Sequence, residues 1–209
     1  MSLDLWLTFV AASTALLLIP GPTILLVLSY ALTQGRKVAV ATAAGVALGD
    51  LIAMTASLLG LGTLVLASAT AFTALKWAGA IYLLWLGYKM MRGAGQASLG
   101  NIGKSTDLPP SRVLSQAAAV TALNPKGIGF FIAFVPQFID PTSAMMPQFA
   151  ILISTFVTLA AFNALAYALL ADRLRSRIER PAVMHGLTRL GGVTLMGMGL
   201  LTATLKRAT

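Results

Sequence analysis

Two ionisable side chains stand where a chain of this composition has least reason to put them. Asp50 lies twelve residues beyond Val38 inside one long apolar run, and Lys126 lies fourteen residues beyond Arg112 inside another. If both runs are bilayer-crossing helices, the rise per residue sets each charge roughly 18–21 Å deep. A centrally placed Asp costs about 2.5–3.5 kcal/mol on insertion scales, so something must offset it. Asp50 could exchange a proton, hold an amine, or form a structural ion pair with Lys126. Lys126 could instead meet a substrate carboxylate, and it is too deep to snorkel to the surface. Asn163, in a third run, is either a site residue or a helix–helix hydrogen bond. Gln116, Thr121, Thr155 and Thr158 read as packing glue. Ala41, Gly45 and Gly49 form a small-residue stripe at spacing four just before Asp50. Such a stripe permits close helix packing, so Asp50 is expected to face the bundle interior.

Two sequence breaks accompany these charges. Pro20-Gly21-Pro22 interrupts the first apolar run, and Asn124-Pro125-Lys126-Gly127 interrupts the fourth. Proline removes a backbone hydrogen bond and clashes with the preceding turn. In lipid the freed carbonyls must face protein or a water-filled cavity. Asn before Pro is a good helix N-cap followed by a good first helical residue, and Gly21-Pro22 can play the same part. Each break is therefore expected to start a new half-helix. The plainer alternative is that the prolines only kink two structural helices.

The elements that must carry these residues follow from composition. The chain has 209 residues, 57% of them hydrophobic and 10% charged, with no cysteine. Ordinary soluble domains are about 45–50% apolar and about 25% charged, which excludes a water-soluble globule and disorder alike. The lack of Cys excludes disulfides and thiolate metal sites, and a single His185 leaves little for a metal centre, so no metal or cofactor is expected. Six stretches reach the roughly 20 apolar residues that a span needs. They are about 5–32, 38–67, 72–91, 113–138, 147–171 and 187–205. The polar stretch 92–111, with four Gly and the Pro109-Pro110 pair, reads as a loop. The result is one all-α membrane domain over 1–209: a first repeat at about 1–91, a cytoplasmic loop at 92–111 and a second repeat at about 112–209. The N-terminal Met-Ser-Leu-Asp has no basic region, so the first run is read as a span rather than a signal peptide.

The net charge of +9 would suggest nucleic acid in a soluble chain. Here it lies in short loops, and membrane orientation explains it without nucleic acid. Arg36 and Lys37 lie in the first loop. Lys89, Arg92, Lys104 and Arg112 belong to the third, and Arg173, Arg175, Arg177, Arg180 and Arg189 to the fifth. These eleven outweigh Lys76, Lys206 and Arg207. Loops one, three and five are therefore expected in the cytoplasm, with both termini on the other side.

The third and sixth spans each place two Gly eight residues apart, Gly79 and Gly87 in one, Gly191 and Gly199 in the other. Together with one broken span heading each half, this predicts two three-helix repeats. Three spans per half is an odd number, so the second repeat must be inverted. Inverted repeats with discontinuous helices at matching positions mark secondary transporters. The positive ends of two half-helices then approach the midplane, which suits a carboxylate.

Four motifs, taken in order, resemble the LysE/RhtB family of bacterial amino-acid exporters. They are Pro20-Gly21-Pro22, Gly45-x-x-x-Gly49-Asp50, the run from Trp77 to Gly87, and Asn124-Pro125-Lys126-Gly-Ile-Gly-Phe130-Phe131 with Pro136-Gln137-Phe138. The resemblance covers essentially the whole chain. It departs at Gly127, where Ala is expected, and at 117–121, which lacks an expected Gly. It implies a six-helix protein of the inner membrane that exports amino acids or close relatives, driven by the proton gradient and often dimeric. By motif, the implied functional positions are Pro20, Gly21, Pro22, Asp50, Asn124, Pro125 and Lys126.

The expected mechanism is alternating access. The half-helix N-termini and Lys126 hold the substrate carboxylate, while Asp50 holds the amino group or exchanges a proton for it. The pocket is expected to be small and partly apolar, fitting a neutral aliphatic or hydroxy amino acid. Three rivals differ in what they need. An intramembrane aspartyl protease needs a second membrane carboxylate, but Asp140 and Asp172 fall at span ends. A channel or exporter of soft metals lacks its Cys and His ligands. A purely structural assembly protein needs neither Asp50 nor Lys126 at depth.

Overall fold

A computed structural model describes residues 1–67, 69–93, 108–140, 142–178 and 180–204. Most of the expected third loop, with Lys104, lies outside these residues, as do Leu205, Lys206 and Arg207. The side chains of Lys76, Asp172, Arg175 and Arg177 lie outside them too.

The described chain is helical and forms eight α-helices: α1 (Leu3–Leu18), α2 (Pro22–Gln34), α3 (Ala39–Ala67), α4 (Ala69–Arg92), α5 (Pro110–Ala122), α6 (Pro125–Ala133), α7 (Met145–Ile178) and α8 (Pro181–Thr204). Short 3₁₀ turns at Arg36–Val38 and Val135–Phe138 complete it. Both expected breaks are present. The axes of α1 and α2 meet at 56°, those of α5 and the segment from Pro125 to Phe138 at 47°. Pro22 and Pro125 each occupy the first turn of the new half-helix, where a missing N–H costs nothing.

Arg36–Gly60 and Met145–Ala171 are each long and apolar enough to cross a membrane, and each bent pair meets the same test jointly. The helices α4 and α8 have 24 residues each, about 36 Å of helix, enough by length alone. Two boundaries differ from expectation. The helix α8 begins at Pro181 rather than near Leu187. The fifth span was expected to end near Ala171, but α7 continues to Ile178 through the segment assigned to loop five. Arg and Leu are good helix formers and no breaker intervenes before Pro181. At 34 residues, α7 exceeds the roughly 30 Å hydrocarbon core by several turns.

Packing follows a paired pattern. The helix α3 lies along α5, α6 and α7, while α7 lies along α1, α2 and α3, and α4 lies along α8. Small residues set the close seams. A Cβ on Gly49 would stand 2.6 Å from the Ala118 carbonyl oxygen and from Thr121 Cβ, so the stripe ahead of Asp50 is pressed onto α5. A Cβ on Gly87 would meet the Gly192 carbonyl at 2.5 Å, and one on Gly199 the Ala80 carbonyl at 2.9 Å, which fixes α4 and α8 as an antiparallel pair.

An aromatic cluster of Phe9, Phe130, Phe131, Phe134, Phe138 and Phe156 is buried between α1, α6 and α7. Phe156 meets Phe131 edge to face at 4.9 Å and lies 5.8 Å from Phe130. Phe9 meets Phe138 at 5.3 Å. Trp77, Trp85 and Tyr88 are about half exposed, as residues facing lipid or headgroups would be.

Candidate functional site

The two breaks face one another, and the residues that made each break complete the other. A helix ends with carbonyls that no amide of its own can reach. At the end of α1 four consecutive carbonyls are taken by side chains from other helices. Lys126 Nζ donates to Leu16 at 3.1 Å and to Ile19 at 2.8 Å. Asn163 Nδ2 donates to Leu17 at 3.0 Å, and the Tyr167 hydroxyl donates to Leu18 at 2.9 Å. Asn163 and Tyr167 are four residues apart on α7 and so share a helix face. The ammonium also sits at the negative end of the α1 dipole, where a cation is favoured.

The second break is capped from within. Asn124 Oδ1 accepts from the Lys126 amide at 3.0 Å, the N-cap expected of Asn before Pro. Its amide nitrogen donates to Thr23 Oγ1 at 3.0 Å, and the Thr121 hydroxyl reaches the same oxygen at 3.4 Å. Thr23 is the second residue of α2, so this bond ties the start of α2 to the start of α6. Gly21, the N-cap of α2, offers no side-chain cap. The Tyr82 hydroxyl donates to the Pro125 carbonyl at 3.2 Å.

Lys126 and Asn124 lie on a wall between two cavities. One holds about 30 Å³, and Asp50, Thr23, Thr121 and Asn163 face it. That is room for about two waters, since one needs roughly 10–15 Å³ on the same measure. The other holds about 210 Å³ and is bounded by Pro20, Gly21, Pro22 and Pro125. The other seven residues singled out by sequence thus gather around Lys126. Pro20, Gly21, Asp50, Asn124 and Lys126 are buried, Asn163 is partly buried, and Pro22 and Pro125 are exposed.

Asp50 and Lys126 are close enough for each charge to act on the other. They do not touch: among the described residues no ion pair joins them within 4.0 Å. Of the alternatives left open by the sequence, a direct ion pair is not the one formed: the ammonium bonds carbonyls and the carboxyl faces the small cavity. An ammonium has three protons, and the α1 carbonyls take two of them. The arrangement can bind a carboxylate at the third, accept an amine or a proton at Asp50, and hold water between.

The sequence reading missed Thr23 and Tyr167. Thr23 follows directly on Gly21-Pro22, and Tyr167 stands one turn after Asn163, so a signal existed for both.

With the site in view, comparison with known proteins becomes specific. Residues 14–205 match the model of the LysE type translocator family. The chain belongs to the LysE type translocators. It is 35% identical over 208 residues to a homoserine/homoserine lactone efflux protein of Salmonella typhimurium, covering 100% of both chains. It is 30% identical over 206 residues to a leucine efflux protein of Klebsiella pneumoniae, covering 96% of this chain and 95% of that one. It is 35% identical over 206 residues to a protein of Vibrio cholerae named only as an uncharacterized membrane protein, covering 99% of this chain and all of the other. No solved structure matches it. Family and apolar helices together make this translocator a multi-pass membrane protein, and its named relatives are efflux transporters, not enzymes.

Proposed function

We propose that the protein exports a small neutral amino acid from the cytoplasm by proton antiport, with alternating access around Lys126. The observation that carries this reading is the convergence of both broken spans on one buried ammonium that faces a buried carboxyl across a cavity. Discontinuous helices whose ends meet at mid-membrane are how secondary transporters hold substrates and coupling ions. The substrate carboxylate is assigned to the free proton of Lys126 and the N-termini of α2 and α6. The amino group is assigned to Asp50, which takes a proton when the substrate leaves. The names of the efflux relatives support an amino acid or a close derivative as cargo.

Six spans in two inverted repeats, within a single domain, agree with the packing. Exchanging α1, α2 and α3 for α5, α6 and α7 turns the contacts of α3 with α5 and α6 into those of α7 with α1 and α2. The exposed Arg36, Lys37, Arg92, Arg112, Arg173 and Arg180 support a reading in which loops one, three and five face the cytoplasm of a bacterial inner membrane. Both termini are then periplasmic.

The test is counterflow in liposomes with a panel of labelled amino acids, wild type beside Asp50→Asn. Saturable exchange of one or a few amino acids, slowed or freed from its pH dependence by the substitution, is expected. Exchange indifferent to Asp50→Asn would remove Asp50 from the mechanism. No exchange of any amino acid by folded, inserted protein would sink the export reading.

A further inference from the structure

We propose that the cavity of about 210 Å³ between the breaks is a side-chain subsite for an uncharged aliphatic amino acid, with Leu25, Leu86, Met90 and Thr188 setting the length and polarity it accepts. This rests on the export reading above and specifies its cargo.

The division of labour between the two cavities carries the inference. The small one gathers Thr23, Asp50, Thr121 and Asn163 with Asn124 and Lys126, and has room for water, a proton or an amino group, but not for a whole amino acid. The large one is the reverse. Apart from Lys126 and Asn124 on the shared wall, Thr188 brings the single polar side chain to its lining. A zwitterion with its carboxylate on Lys126 therefore has one direction for its amino group, toward Asp50, and the other for its side chain.

Size and charge narrow the class. A dry cavity of roughly 150 Å³ accepts a six-carbon ring, so this one admits a branched aliphatic side chain. Among the described residues lining it none is acidic, and the one cation is Lys126. A charged side chain would lie there unpaired at low dielectric, which is costly. Met90 is unbranched and adaptable, suited to close on chains of different shape. Leu86 and Met90 stand on α4 and Thr188 on α8, so the subsite is shaped by the helix pair that the breaks do not belong to.

Position agrees with loading from inside. Met90 and Thr188 are next to Lys89 and Arg189, at the end of the molecule assigned to the cytoplasm. Phe156, which lines the small cavity with Asp50, packs on Phe130 and Phe131 of the aromatic cluster.

The test compares exchange ratios in liposomes for labelled alanine, threonine, leucine, phenylalanine and lysine. Leu86→Phe and Met90→Phe narrow the cavity, Leu86→Ala and Met90→Ala enlarge it, and Thr188→Val removes its hydroxyl. Narrowing is expected to shift the leucine-to-alanine ratio about tenfold toward alanine, in line with what one methylene decides in an apolar pocket. Enlarging is expected to shift the leucine-to-phenylalanine ratio toward phenylalanine, and Thr188→Val to lower threonine against leucine. If a Phe variant fails to elute as a single species, the Ala variants, which add no atoms, decide. Ratios unchanged in both Ala variants, with wild-type exchange intact, would overturn the subsite and leave the export reading standing. Wild-type preference for lysine would overturn it too. A wild type that moves no amino acid would instead sink the export reading itself.

Discussion

The break after α1 and the break before α6 begin from the same chemistry and end in different states. Both put proline in the first turn of a half-helix, and both bend their span by about the same angle, 56° and 47°. At Asn124 the cap is built into the break: one side chain serves the Lys126 amide and also reaches Thr23. At Gly21 no side chain caps α2, and of the carbonyls behind it that of Leu16 also takes the Ile19 amide, while those of Leu17, Leu18 and Ile19 are taken by residues more than a hundred positions away. One break is closed locally and the other globally. The globally closed one can be undone by moving a neighbour, which is what a transport cycle requires. The locally closed one keeps its shape and carries the cation across.

The comparison fails first at Lys126. Lys126→Met strands the Ile19 carbonyl at about 1–3 kcal/mol, leaves that of Leu16 with the Ile19 amide alone, and removes the ammonium from the wall between the cavities. Exchange is expected to vanish and the melting temperature in detergent to fall. A variant that transports normally would end the view that the first break is held by this ammonium.

Next in size is the contrast between the caps. Asn124→Ala loses an N-cap and the bond to Thr23, about 1–2 kcal/mol together. Gly21→Ala adds a methyl that would lie 3.4 Å from Lys126 Cε and Nζ, an ordinary contact, and removes no hydrogen bond. Thermal unfolding of the two side by side should show a clear loss for Asn124→Ala and little for Gly21→Ala. Equal losses would erase the local-versus-global distinction.

Smaller still are the single donors on α7. Asn163→Leu and Tyr167→Phe each free one carbonyl, at about 0.6 kcal/mol on average for such bonds in a membrane protein. Because both hold the same helix end, the double variant should depart from additivity, which a double-mutant cycle in unfolding measures.

The smallest effect belongs to Asp140, in the connection after α6. The Thr142 hydroxyl at 2.6 Å, the Ser143 hydroxyl at 2.7 Å and the Thr142 amide at 2.9 Å hold its carboxyl down to about 2. A carboxyl so lowered contributes stability that is complete above the ordinary carboxylate range and is lost only as pH falls toward 2. Asp140→Asn should therefore leave the pH profile of exchange between about 5 and 8 unaltered. Whatever profile appears there in wild type then does not come from Asp140, which sharpens the reading of Asp50→Asn.

Local signals were legible and remote ones were not. Proline, glycine and the Asn-Pro pair act on their own turns, so both breaks and the Asn124 cap could be read from residue order. The stripe ahead of Asp50 was legible because small residues on a helix mean close packing whatever the partner. The destination of Lys126 was not. Its partners are backbone carbonyls, which every residue possesses, so no letter in Leu16 to Ile19 announces an acceptor. Asp50 and a substrate carboxylate were the partners in view, because a carboxylate is legible in a sequence and a carbonyl is not. The end of α7 was misjudged for a related reason. Arginines were read as loop on account of charge, although their helix propensity is high.

The dependence of the first break on the second half of the chain also orders biogenesis. The donors to the α1 carbonyls lie 107 to 149 residues downstream. While the first repeat is being inserted, those donors do not yet exist, and lipid supplies none. The early helices must therefore wait, with the break near water or in the company of the insertion machinery, until α6 and α7 arrive. Expressed alone, residues 1–93 should be short-lived in a membrane, and co-expression of residues 108–204 as a separate piece should rescue them.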